Sequence, residues 1–137
     1  METAFRSDER FTQAEFFEWL QKRPRNDINH YELLGGHIVM TPPAGYPHSP
    51  IALRIGSALL QHVRPRKLGI VNESSAGFDF ASGDTLDPDV SFISASRLAT
   101  AKPETGRFYD VVPDLVVEIL SPATSKRDRT EKKDIYE

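Results

Sequence analysis

Cysteine is absent from the 137 residues, which excludes a disulfide framework and any thiolate metal site. A metal held by this chain would have to sit on carboxylates, histidine, carbonyls or water, a donor set that favours hard ions such as magnesium. No apolar run approaches the length that spans a bilayer, and Met1 to Arg10 is polar and charged where an export signal needs a basic start followed by an apolar stretch. A cytoplasmic protein without a membrane partner is expected. A surplus of positive charge is also missing: the formal net charge is -3, so bulk electrostatics does not mark a nucleic-acid binder, although local basic stripes can still track phosphates. One such stripe is Lys126, Arg127, Arg129, Lys132 and Lys133, and another is Arg64, Arg66 and Lys67. Internal repeats and low-complexity segments are lacking as well.

What remains is the composition of an ordinary globular chain, with 39% hydrophobic and 27% charged residues, long enough for one core. Thr12 followed by Glu15 is a capping-box signature, and Phe16, Phe17 and Leu20 recur at helical spacing, so a short helix is expected from about Thr12 to Lys22. Tyr31, Leu33 and Leu34 lead into Gly35-Gly36, after which Ile38 and Met40 resume an extended pattern, which reads as a β-hairpin. The apolar positions from His48 to Val63 fit the longest helix, with Ser49-Pro50 near its start. Short strands follow at Leu68 to Val71, Gly77 to Phe80 and Val90 to Ile93. Val111 to Leu120 is the clearest strand by composition and is expected to be central and buried. Asp128 and Glu131 give a second capping signal, opening a helix that continues through Lys132 to Glu137.

Two carboxylates stand out. Asp89 follows a proline just before a strand, and Glu118 lies 29 residues later inside the most apolar strand. Alternation puts Glu118 on one face with Asp114, Val116 and Leu120, where an ionised carboxylate requires a cation, a metal or a proton. A divalent ion would satisfy both residues, with a backbone carbonyl and waters completing an octahedral site. Phosphodiester hydrolysis follows as a chemistry: the ion polarises a phosphoryl oxygen and acidifies a water, and a lysine stabilises the developing charge. Lys126, Lys132 and Lys133 are the candidates for that lysine. Each residue has an ordinary reading too: Asp89 as a turn residue, Glu118 in a structural salt bridge, Lys132 as a solvated helix charge, and Asp87, Asp114 and His48 as turn, strand-entry and helix-start residues.

The segments Tyr31-Glu32-Leu33-Leu34-Gly35-Gly36, Leu86-Asp87-Pro88-Asp89-Val90-Ser91 and Pro113 to Pro122 resemble the Uma-type family of putative restriction endonucleases, within the PD-(D/E)XK nuclease class. The resemblance implies a restriction-endonuclease-like α/β (α+β) core, a mixed, mostly antiparallel curved sheet flanked by helices, over residues 28–137, preceded by a helical extension at 1–27. It implies a magnesium site, with manganese as a substitute, on Asp89, Glu118 and the carbonyl of Ile119. In the commonest version of the fold the lysine lies two residues after the glutamate, which here is Leu120. The family's Asp-x-x-x-Lys-x-x-x-Tyr pattern instead falls on Asp128, Lys132 and Tyr136, which assigns the lysine to Lys132. A family histidine corresponds to His48 and the hairpin glutamate to Glu32, whereas His37 replaces a common acidic residue. Relatives continue into a strand with a Glu-Tyr-Trp segment that this sequence lacks, so an exposed sheet edge is expected. The implied activity is DNA cleavage by a homodimer. The alternative is an inactive nuclease-like module that binds nucleic acid or protein.

Overall fold

The computed structural model describes residues 5–121 and 128–137. Its fold is α+β, with antiparallel sheets flanked by helices. The capping box forms as expected: Thr12 accepts the N–H of Glu15, whose carboxylate accepts the N–H of Thr12, and helix α1 runs Gln13–Gln21. Its Phe16 is fully buried against Leu33 and Ile38. Those two residues belong to the hairpin of β2 (His30–Leu34) and β3 (His37–Thr41), whose turn puts Gly35 and Gly36 at φ +57° and +83°. Both central residues at positive φ match the right-handed twist of the strands, which explains the glycine pair. A strand not legible from alternation, β1 (Phe5–Arg10), pairs with the outer edge of β3. Its sequence is nearly all polar and its side chains are largely exposed, so backbone pairing rather than burial holds it.

The long helix α2 spans His48–Val63. Strands β4 (Gly69–Asn72), β5 (Phe78–Asp79), β6 (Thr85–Leu86) and β7 (Val90–Ser94) follow, and Ser94 caps α3 (Ala95–Ala101), a helix the sequence reading did not place. The strands divide into a five-stranded sheet, β1-β3-β2-β6-β5, and a three-stranded sheet of β4, β7 and β8 (Leu115–Val117), where one curved sheet was expected. Every strand pair is antiparallel, and a parallel bridge joins Phe78 to Tyr109.

The strand expected at Val111 to Leu120 is shorter than its composition suggested and is not central. Among the described residues β8 pairs with β7 alone, and Leu115 and Leu120 are 43% and 42% exposed. Before it, the Asp114 N–H still donates to the Phe92 carbonyl of β7 at 2.9 Å, while its carboxylate accepts the N–H of Ser94 at 2.7 Å and meets Arg97 at 3.4 Å. Apolar composition alone could not tell an edge strand from a buried one.

After a π-helical turn at Asp128–Lys132, α4 covers Lys133–Tyr136. Ile135 and Tyr136 pack on the main core of Leu34, Val39, Phe78, Phe80, Leu86 and Ile93. That docking carries Lys132 inside the protein. Lys126 and Arg127 lie outside the described residues, as do the side chains of Asp128 and Arg129. No helix among the described residues is long and apolar enough to cross a membrane.

One glycine makes the site's sheet possible. At Gly69, with φ +153°, a Cβ would collide with the carbonyl oxygen of Ile93 on the paired strand. Gly69→Ala is therefore expected to lower stability by about 3 kcal/mol, a drop in melting temperature of roughly 10 °C for a domain of this size. Thermal unfolding followed by circular dichroism checks it, and an unchanged melting temperature would refute the close approach.

Candidate active site

The register of β7 and β8 sets Val90 opposite Val117. One step further out, Asp89 faces Glu118, and here side chains take over from backbone pairing. The Asp89 N–H donates to Glu118 Oε1 at 3.2 Å, and the Ile119 N–H donates to Asp89 Oδ2 at 2.7 Å. Each carboxylate therefore satisfies a main-chain donor that the ending ladder leaves over, which fixes both carboxyl groups at the mouth between the strands.

Three other elements converge on them. His48, at the start of α2, brings Nε2 to 3.2 Å from Asp89 Oδ2. Lys132, 4% exposed, places its ammonium on Glu118 Oε2 and 3.1 Å from Glu32 Oε2. The Tyr136 hydroxyl donates to Glu118 Oε2 at 3.2 Å. Burial first, and the Glu118 carboxylate second, push the Tyr136 phenol far above its usual range, so it stays a neutral donor.

Behind this group lies a second pair of carboxylates. Glu32, on β2, is 6% exposed and accepts the Asp87 N–H at 2.9 Å. Asp87 Oδ2 lies 3.6 Å from His30 Nδ1. Burial pushes the Asp87 carboxyl well above the usual carboxylate range, and the negative charge of Glu32 adds to the shift, while Lys132 opposes it. The whole assembly opens into a cleft of about 1220 Å³ whose lining includes Glu32, His48, Asp89, Glu118, Ile119 and Lys132, with α2 forming one wall.

The structure thus brings Asp89, Glu118, Ile119 and Lys132 together, with His48 and Glu32 at their side. Lys133 is not among them: it is 64% exposed and pairs with Glu137. Asp114 sits instead at the β7–α3 turn. Sequence reasoning underrated Glu32 and Asp87. For Glu32 a signal existed, because a carboxylate flanked by Tyr31, Leu33 and Leu34 in a strand is the same anomaly that marked Glu118.

The Asp89 and Glu118 carboxylates, from facing chain segments, are hard oxygen donors of the type that suits a divalent ion keeping several waters. Among the described residues no three His, Asp or Glu side chains are gathered as a ready-made metal cluster.

A family model described as "Uma2: Putative restriction endonuclease" matches residues 13–137. Among solved structures, the chain is similar to a putative nuclease of the DUF820 family from Anabaena variabilis ATCC 29413, with 25% sequence identity and a TM-score of 0.68. The match covers 89% of this chain and 65% of that one, so this chain spans about two thirds of the neighbour's length. No curated protein matches it.

Proposed function

Because this chain belongs to the Uma2 family of putative restriction endonucleases, we propose that it is a magnesium-dependent endonuclease hydrolysing phosphodiester bonds of DNA, with manganese able to substitute. The observation that carries the reading is the meeting of two carboxylates and a buried ammonium, from three separate segments, in one open cleft. Asp89, Glu118 and the Ile119 carbonyl are the ligands in this reading. A divalent ion held there would supply Lewis-acid polarisation of a phosphoryl oxygen and a lowered pKa for the attacking water. Asp89 is oriented by the Ile119 N–H and by His48, so its carboxylate needs little rearrangement before it binds. Lys132 stabilises the negative charge that gathers on the phosphoryl group as the bond breaks. Cleavage of both strands of a duplex calls for two such sites, so the reading includes a homodimer, acting on DNA in the cytoplasm.

The test is cleavage of supercoiled plasmid by the purified protein with magnesium, with manganese, and with chelator. Nicked and linear products are expected with either ion and none with chelator, and Asp89→Asn prepared identically should be inert. If wild type and Asp89→Asn cut equally, the activity comes from a contaminant and the reading fails.

One observation favours a second reading. Lys132 already neutralises Glu118 and Glu32 as a bound cation would, so the domain can fold with its carboxylates compensated by its own ammonium. A nuclease-like module that binds nucleic acid or protein without cutting would show DNA binding in a gel-shift experiment and intact plasmid under every ion.

A further inference from the structure

Glu32 is not required as a ligand by the chemistry above, yet it is one of the most deeply buried charged residues described. A carboxylate so far from water persists only with a cation and donors to compensate it. Its Oε2 atom has both, the Lys132 ammonium at 3.1 Å and the Asp87 N–H at 2.9 Å. The same ammonium also rests on Glu118. Glu32 stands on β2 of the five-stranded sheet, whereas Glu118 follows β8 of the three-stranded sheet. Lys132 therefore bridges two sheets from a third element, the C-terminal helical segment.

We propose that Glu32 is the positioning residue for Lys132: it retains the ammonium when a divalent cation takes Glu118, so that the lysine yields the ligand without leaving the site. The inference rests on the metal-site reading of Asp89 and Glu118. A cation arriving at Glu118 repels the ammonium already there, and an ammonium stripped of its carboxylate inside the protein is strongly unfavourable. Glu32 removes that obstacle because it offers a second carboxylate within reach, itself locked by the backbone of Asp87, the residue two before Asp89 in the chain. The lysine's three donors allow both contacts in the resting state and a shift of weight between them on loading. Without the Glu32 charge the lysine leans more heavily on Glu118 and competes with the metal.

A double-mutant cycle read by manganese titration calorimetry tests this, because it measures ion binding rather than turnover. Wild type, Glu32→Gln, Lys132→Met and the double variant are compared, with Asp89→Asn as the control for the site. Lys132→Met is expected to bind manganese more tightly than wild type, since a competitor is gone. Glu32→Gln should weaken binding about tenfold when Lys132 is present and by less than about twofold when it is methionine, a difference within the coupling expected of contacting groups. An equal loss in both backgrounds would overturn the proposal, since Glu32 would then act on the ion directly. Should Glu32→Gln fail to fold, Glu32→Asp, which keeps the charge but withdraws it by a methylene, carries the same comparison with an expected loss of about threefold confined to the lysine background. If wild type and Asp89→Asn show the same heat, the metal-site reading itself is wrong and this inference falls with it; site-specific binding without coupling overturns the inference alone.

Discussion

Glu118→Gln is expected to abolish magnesium-dependent plasmid cleavage, with a loss of about a thousandfold or more in rate. The size follows from the proposed role: an ion there would supply several kcal/mol of transition-state charge stabilisation, and each factor of ten corresponds to about 1.4 kcal/mol. Glutamine preserves the shape at the end of β8 and can still accept the Asp89 N–H that Glu118 accepts at 3.2 Å, so the loss would report charge rather than misfolding. Crowded carboxylates alone would make the amide stabilising. Here the Lys132 ammonium and the Tyr136 hydroxyl both sit on Oε2, and removing the charge they compensate reverses that sign, so the metal-free melting temperature should fall by a few degrees. Magnesium should raise the melting temperature of wild type and leave the variant unmoved, because a ligand that binds only the native state stabilises it by mass action. Equal stabilisation of both proteins by magnesium would place the ion elsewhere.

Lys132→Ala should have two separable effects. Truncation leaves Glu32 and Glu118 facing each other without their shared ammonium, and breaking a buried ion pair from one side costs about 3–5 kcal/mol. Urea unfolding will read that loss. Cleavage under conditions where the variant is fully folded should drop by about 10² to 10³, the range for removing one preorganised donor to developing charge, while metal affinity should not decrease. Lys133→Ala is the control: its side chain is 64% exposed and pairs along the helix with Glu137, so stability should change by less than about 0.5 kcal/mol. Full activity in Lys132→Ala would end the assignment and move the role to another lysine, with Lys126 next in line by sequence.

Much of the local structure is legible in the sequence. Thr12 and Glu15 announced α1, Gly35-Gly36 announced the hairpin, and the apolar spacing from His48 to Val63 announced α2, because caps, positive-φ turns and helical periodicity are properties of a few adjacent residues. Elements held from outside themselves were not legible. The polar β1 exists because β3 offers it an edge, β6 is two residues pinned between β2 and β5, and α3 is a short helix whose signal is a single serine cap. The misjudged burial of β8 has the same origin, since its apolar run was visible but the absence of a strand on its far side, among the described residues, was not.

At the site, the sequence alone determined the chemistry on offer: no thiolate ligand, two misplaced carboxylates at Asp89 and Glu118, and a lysine spaced into the helix that follows. A charge in an apolar run is costly wherever the chain puts it, and so it can be recognised without knowing its neighbours. Only the tertiary structure decided who those neighbours are. Glu32, Asp87 and His48 join the group because a hairpin, a turn and a helix start meet the open end of β7 and β8, and Lys132 reaches it because Ile135 and Tyr136 dock its helix on the core. Those meetings depend on contacts across much of the chain, 32 with 132 and 48 with 89, and no local pattern encodes a distance between residues so far apart in sequence.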